Sequence, residues 1–146
     1  MSKLPETPKT HITTLEKTTA MLIHSYTRAQ AIKDGVLVDV SSTALEAGFR
    51  WPVTLTRTAW ADVVEWSEAD SSRQIYQDEA GRLWDVLWMA YLAARRKSGE
   101  SKTLFQLYRV PRGGRGVRPR LNILKMICGP GDNGDPVITI MLPSEN

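Results

Sequence analysis

Apolar residues recur at helical spacing through the first two-thirds of this chain and gather into short β-branched runs in its last third. Between about 72 and 97, Tyr76, Ala80, Leu83, Leu87, Tyr91 and Ala94 fall on one helical face. Trp84, Trp88 and Leu92 widen that face, so the spacing predicts the longest helix here, with the tryptophans in its core stripe. Gly81 either interrupts it or marks its start, in which case Asp78 and Glu79 flank the N-terminal dipole. Arg95, Arg96 and Lys97 suit its last turn, and Gly99 its stop. Upstream, Thr56 or Thr58 caps a helix to about Glu65, with Trp60, Val63 and Val64 as its buried stripe. A short helix, Thr43 to Ala47, lies between the Ser41/Ser42 cap and Gly48. Another follows Ser25 or Thr27 through Ala29-Gln30-Ala31-Ile32-Lys33 and stops at Gly35. From Ile12 to Ile23 apolar residues cluster without a clean period, and Thr13, Thr14, Thr18 and Thr19 lower the helix propensity.

Extended structure is predicted for Val36–Val40, and for Trp51–Leu55 because Pro52 pushes its predecessor out of the helical region. Three further strands are predicted at Thr103–Val110, Arg120–Ile127 and Val137–Leu142, separated by Gly- and Pro-rich turns. Neighbouring strands joined by turns imply a meander. The expected fold is therefore α+β, with N-terminal helices packed on a small C-terminal antiparallel β-sheet of three to four strands. Residues 1–11 read as a flexible leader, and 12–146 as a single α+β domain.

Composition narrows the classes. A chain of 146 residues with 42% hydrophobic and 24% charged residues is an ordinary single domain. One cysteine, Cys128, excludes an intramolecular disulfide and a Cys-rich metal site, and His11 and His24 leave little for a histidine centre. No apolar run approaches the roughly 18 residues of a membrane span, and the N-terminus lacks a signal peptide's apolar core. A cytoplasmic protein with no membrane partner is expected. Charge is uneven: between Arg95 and Lys125 ten basic residues face Glu100 alone, a local net charge of +9. Such a block suggests an anionic partner, either phosphate backbone or an acidic protein face.

Three stretches together carry a family resemblance. They are Tyr26 to Val40, then Ala47-Gly48-Phe49 with Pro52 to Thr56, and Cys128 to Asp132 with Val137 to Pro143. The chain resembles a family of short uncharacterised proteins carried on bacterial plasmids, integrative elements and phages. The resemblance implies a setting in which accessory genes counter host defences, CRISPR and restriction systems among them; it brings no site residues with it.

The strongest chemical signal is the loop from Arg109 to Arg120. Its guanidinium groups, Arg109, Arg112, Arg115, Arg118 and Arg120, suit two-pronged binding of carboxylate or phosphate, and its glycines let the backbone follow a charged surface. Gly113-Gly114-Arg115-Gly116 lacks the Gly-Lys-Ser/Thr ending of a nucleotide loop, and a strand rather than a helix follows it. Asp132-Asn133-Gly134-Asp135 lacks a calcium loop's later glutamate and reads as a turn. Neither a cofactor nor a metal is expected.

Trp51 and Trp66 lie at element ends and are the tryptophans expected at the surface, as apolar anchors. Cys128 ends an apolar strand, and no nucleophile elbow surrounds any serine, so His24, Ser25 and Asp39 are not read as a hydrolytic trio. Asp62, Glu65, Glu68 and Asp70 form an acidic edge that is either a solvated face or a complement to the arginine loop of a neighbouring copy. The expected function is a non-enzymatic binding protein of a mobile genetic element. It would occlude a host defence protein or nucleoprotein complex, as anti-CRISPR and anti-restriction inhibitors do, through Arg109, Arg112, Arg115, Arg118, Arg120, Trp51 and Trp66. The alternative is a small sequence-independent nucleic-acid-binding protein using the same loop. Oligomeric state is open.

Overall fold

A computed structural model describes residues 26–146; the expected leader, the 12–23 cluster, His11, His24 and Ser25 lie outside the described residues. Ten elements follow in order: α1 (Arg28–Lys33), β1 (Leu37–Asp39), α2 (Ser41–Ala47), β2 (Val53–Thr56), α3 (Arg57–Val63), α4 (Glu68–Arg73), α5 (Glu79–Arg96), β3 (Lys102–Arg109), β4 (Arg120–Pro130) and β5 (Pro136–Met141). Local chemistry sets several ends. Thr27 and Gln30 form a capping box on α1, and the Thr56 hydroxyl accepts from the Ala59 amide at the start of α3.

The strands form one five-stranded sheet, ordered β1-β2-β5-β4-β3. This corrects the expectation of three to four antiparallel strands behind N-terminal helices. The sheet is mixed: β2 runs parallel to β5, with Val53 opposite Ile138 and Leu55 opposite Ile140, while the other pairs are antiparallel. The helices α3 to α5 lie mid-chain, inside the crossover that the parallel pair requires. The cause is burial. Val53, Thr54 and Leu55 are all buried, as expected for an interior strand, and β2 covers the edge of β5 that a meander would leave open. The Pro52 carbonyl extends that pairing by accepting from the Ile138 amide at 2.9 Å.

Along β3 buried and exposed residues alternate, so Thr103, Phe105, Leu107 and Arg109 face the core. Onto this face α5 packs Leu83, Val86, Leu87, Ala90 and Ala93. One expectation for α5 is resolved and another changes. Of the two readings at Gly81 the later start holds: α5 begins at Glu79 rather than at about 72, with the Asp78 side chain accepting from the Gly81 amide (2.7 Å) as its N-cap. Trp84 and Trp88 are exposed rather than core, because the smaller Val86, Ala90 and Ala93 form the contact stripe and leave the indoles on its flank.

The opposite sheet face is tied down at the β5 side. Arg28 donates to Thr139 Oγ1 (2.8 Å) and the Ile138 carbonyl (2.7 Å). The Asp132 carboxylate accepts the Arg28 and Ala29 amides, so the β4–β5 turn fixes α1. Beyond β5, Lys125 Nζ donates to the Glu145 carbonyl, while Glu145 Oε1 accepts from Thr56 Oγ1 (2.8 Å). Among the described residues no helix is long and apolar enough to cross a membrane.

Candidate functional site

The arginine-rich segment is the connection between β3 and β4, and the fold divides its five arginines into two groups. Arg109 ends β3 on the core face and is buried. Its Nη2 donates to the Arg82 carbonyl (3.2 Å), and its Nη1 lies 3.7 Å from Asp85 Oδ2. Beneath it sits Arg82, 2% exposed. Arg82 Nε donates to the Val64 carbonyl (2.9 Å), and Nη1 donates to Gln77 Oε1 (2.8 Å) and the Val110 carbonyl (3.1 Å). The Arg82 guanidinium lies over the Trp66 ring at 4.6 Å. Burial lowers its pKa to about 10, and the neighbouring positive charge of Arg109 adds to the effect. Burial likewise pushes Arg109 down, against the opposing pull of Asp85.

Arg112 also turns inward. Its Nε donates to Asp70 Oδ2 (2.6 Å), and its Nη1 lies 2.9 Å from Glu65 Oε2. Asp70 is the N3 residue of a capping box with Ser67 at the start of α4, so one carboxylate serves both helix and loop. Gln74, just past α4, completes the clasp. Its Nε2 donates to the Pro111 and Gly116 carbonyls, and its Oε1 accepts from the Gly113 amide. Gly113 and Gly114 adopt φ of 103° and 69°, the left-handed turn that this closure needs.

Arg115, Arg118 and Arg120 remain. All three are exposed and form no ion pair among the described residues. Arg109 is thus buried beneath the loop, and Arg112, though still exposed, is ion-paired to Glu65 and Asp70. Glu65 and Asp70, half of the acidic edge, pair with Arg112 of the same chain.

The tryptophan expectations change as well. Trp66 is buried, its Nε1 donating to Ser71 Oγ (3.0 Å). Trp51 is exposed, but it lines a groove with Tyr91 and Arg95 near the far end of α5. The loop base instead borders a groove with Tyr76, Gly81, Trp84, Tyr108 and Pro119. Gly81 and Arg95 are separated by about 20 Å of helix, so Trp51 does not join the loop. Its aromatic neighbours are Tyr76, 80% exposed, and Trp84. Sequence reading put Asp70 on an acidic edge that was either solvated or complementary to a neighbouring copy's loop, whereas it pairs with its own chain's Arg112, and it missed Gln74 and Arg82 altogether. The Ser67-x-x-Asp70 capping pattern was the clasp's one local signal.

The clasp carries a pH dependence. The Arg112 hydrogen bond holds the Asp70 carboxyl down at about 2, below its usual 3.8, with Ser67 contributing. A depressed folded-state pKa means that the stabilisation is fully present above about pH 4 and disappears as pH falls toward 2. The thermal midpoint of the native chain should therefore fall through that window more steeply than that of Asp70→Asn, measured by calorimetry in parallel titrations. Equal slopes would remove Asp70 from the acid response.

Fold and site together define a small mixed-sheet α+β protein with a clasped, positively charged hairpin loop. A family model described as a family of unknown function, DUF6573, matches residues 16–146, and the chain belongs to that family. No curated protein and no solved structure matches it.

Proposed function

We propose that this is a non-enzymatic binding protein that engages an anionic macromolecular surface through Arg115, Arg118 and Arg120. One observation carries the reading: these three guanidinium groups lack carboxylate partners among the described residues, on a backbone held by Gln74 and Arg112. A loop already ordered loses less conformational entropy on binding than a free one. Tyr76 and Trp84 beside the loop supply apolar anchoring in place of Trp51 and Trp66. The partner we propose is a host defence protein or nucleoprotein complex, occluded by a mobile-element product of the anti-CRISPR or anti-restriction kind. The resemblance to accessory proteins of plasmids, integrative elements and phages supports this choice. Against an enzyme stands the placement of the candidate groups. Asp39 is engaged at the start of α2, where it accepts from the Ser41 amide and hydroxyl.

A second reading, binding of single-stranded nucleic acid, is favoured by the exposed Tyr76 and Trp84 rings beside the loop, on which bases could stack. One set of variants tests both. Arg115→Ala/Arg118→Ala/Arg120→Ala is expected to abolish capture of the partner from a bacterial lysate without moving the thermal midpoint. Arg112→Ala should lower the midpoint instead. Steeply salt-dependent binding of random oligonucleotides, weakened by the triple substitution, would favour nucleic acid. Unchanged capture by the triple variant would end the proposal.

A further inference from the structure

The sheet has two edges of unequal character. β1, at one edge, is three residues long, a length that offers little to another strand. β3, at the other, runs eight residues in unbroken register with β4 and contains no proline. Its outward backbone groups can be assigned. The Cys128 amide donates to the Ser101 carbonyl (2.8 Å), and register continues from that pair into Lys102 opposite Ile127. Hydrogen-bonded pairs alternate along an antiparallel ladder, so Thr103, Phe105, Leu107 and Arg109 bond to β4. The N–H and C=O groups of Leu104, Gln106 and Tyr108 then point away from the sheet. Among the described residues no strand meets them.

A groove of about 550 Å³ runs along this edge, walled on the helix side by Asp85, Trp88, Met89 and Arg96. Five residues connect α5 to β3, so the two run in opposite directions. Arg96 therefore lies at the Lys102 end, and Asp85 at the Arg109 end, where it pairs with Arg109. Such a charge order is reversed by a two-fold axis perpendicular to the strand.

We infer that this edge is the interface of a homodimer, in which β3 pairs antiparallel with β3 of a second copy. Several observations favour a second copy over a foreign peptide. Two-fold pairing brings Arg96 of each copy to Asp85 of the other, and both groups are exposed. Centred on Gln106, it sets Leu104, 59% exposed, opposite Tyr108 of the second copy, 69% exposed, twice over. The core faces of the two sheets then coincide, so the α5 helices lie side by side with Trp88 and Met89 near the axis. The dimer does not depend on the role proposed for the arginine loop.

Analytical ultracentrifugation of the full chain across a concentration series should show a reversible species at twice 16.4 kDa. Gln106→Pro removes an outward amide while sparing the ladder to β4, and should leave a monomer. Should that variant misfold, Arg96→Glu decides. It lies in the exposed last turn of α5 and sets like charges against Asp85 at two symmetric points, raising the dimer dissociation constant on the order of tenfold at low salt. Hydrogen exchange of the Leu104, Gln106 and Tyr108 amides should slow as concentration rises. A monomer at every concentration, or a dimer indifferent to Arg96→Glu, overturns the inference. So does slow exchange independent of concentration, which would mean that residues 1–25 of the same chain cover the edge.

Discussion

Arg82→Ala is expected to lower the free energy of unfolding by about 3–5 kcal/mol, among the largest effects of any single substitution in this chain. The side chain is almost fully buried, and its guanidinium serves the Val64 and Val110 carbonyls together with Gln77 Oε1. Truncation leaves these three acceptors without that donor, at roughly 1–3 kcal/mol for each one that water cannot reach. It also opens a void against the Trp66 ring, which the guanidinium now covers. Two terms oppose the loss. Arg82 is itself costly to bury, as its lowered pKa records, and its removal relieves repulsion with Arg109. Their size can be read from Arg82→Met, which keeps most of the volume but donates no hydrogen bond. That variant should recover part of the loss and not all of it. Arg82→Lys should not rescue either, since a single ammonium cannot reproduce the fork that spans two carbonyls. Urea unfolding followed by tryptophan fluorescence measures all three. A cost below about 1 kcal/mol for Arg82→Ala would show that water from the neighbouring groove replaces the guanidinium.

Local chemistry was legible in the sequence, and long-range pairing was not. The strand at Lys102–Arg109 is readable because a β-prone run from Thr103 to Tyr108 stands between Gly99 and Pro111, and Thr56 and Gly48 mark helix ends by their own side-chain and backbone properties. By contrast, β2 spans four residues, too few to show a period, and its parallel partner lies some eighty residues downstream with no local signature. The same limit governs the site. A net charge of +9 over one segment counts only neighbours along the chain, whereas Arg109 and Arg112 find Asp85, Asp70 and Glu65 across the fold. Exposed Arg115, Arg118 and Arg120 are what remains after that cancellation. For Trp84 and Trp88 the failure was one of angular position. Both lie close to the apolar arc of α5, and only the identity of its partner elements decides that Val86 and Ala90 point inward instead.

Gly48→Ala should cost about 2–4 kcal/mol, through two separable causes. Gly48 closes α2 with φ of +125°, its amide shared between the Ala44 and Leu45 carbonyls, and a side chain there is strained wherever it points. The second cause is space, since a Cβ at this position would stand 2.6 Å from Cε1 and Cζ of Tyr91. The ring has little room to retreat, being held edge-on by Phe49 at 5.7 Å and stacked by Trp88 at 5.8 Å. Gly99 separates the two causes. It has φ of +92°, and a Cβ added there would meet nothing within 4 Å, so Gly99→Ala carries the backbone cost alone, about 1 kcal/mol. A double-mutant cycle of Gly48→Ala with Tyr91→Ala supplies the complementary measurement. If the ring is the obstacle, the double variant loses less than the sum of the singles, by about the excess of Gly48→Ala over Gly99→Ala. Equal costs for the two glycine substitutions, or strict additivity in the cycle, would mean that Tyr91 yields freely and that α2 and α5 are less tightly joined than their contact implies.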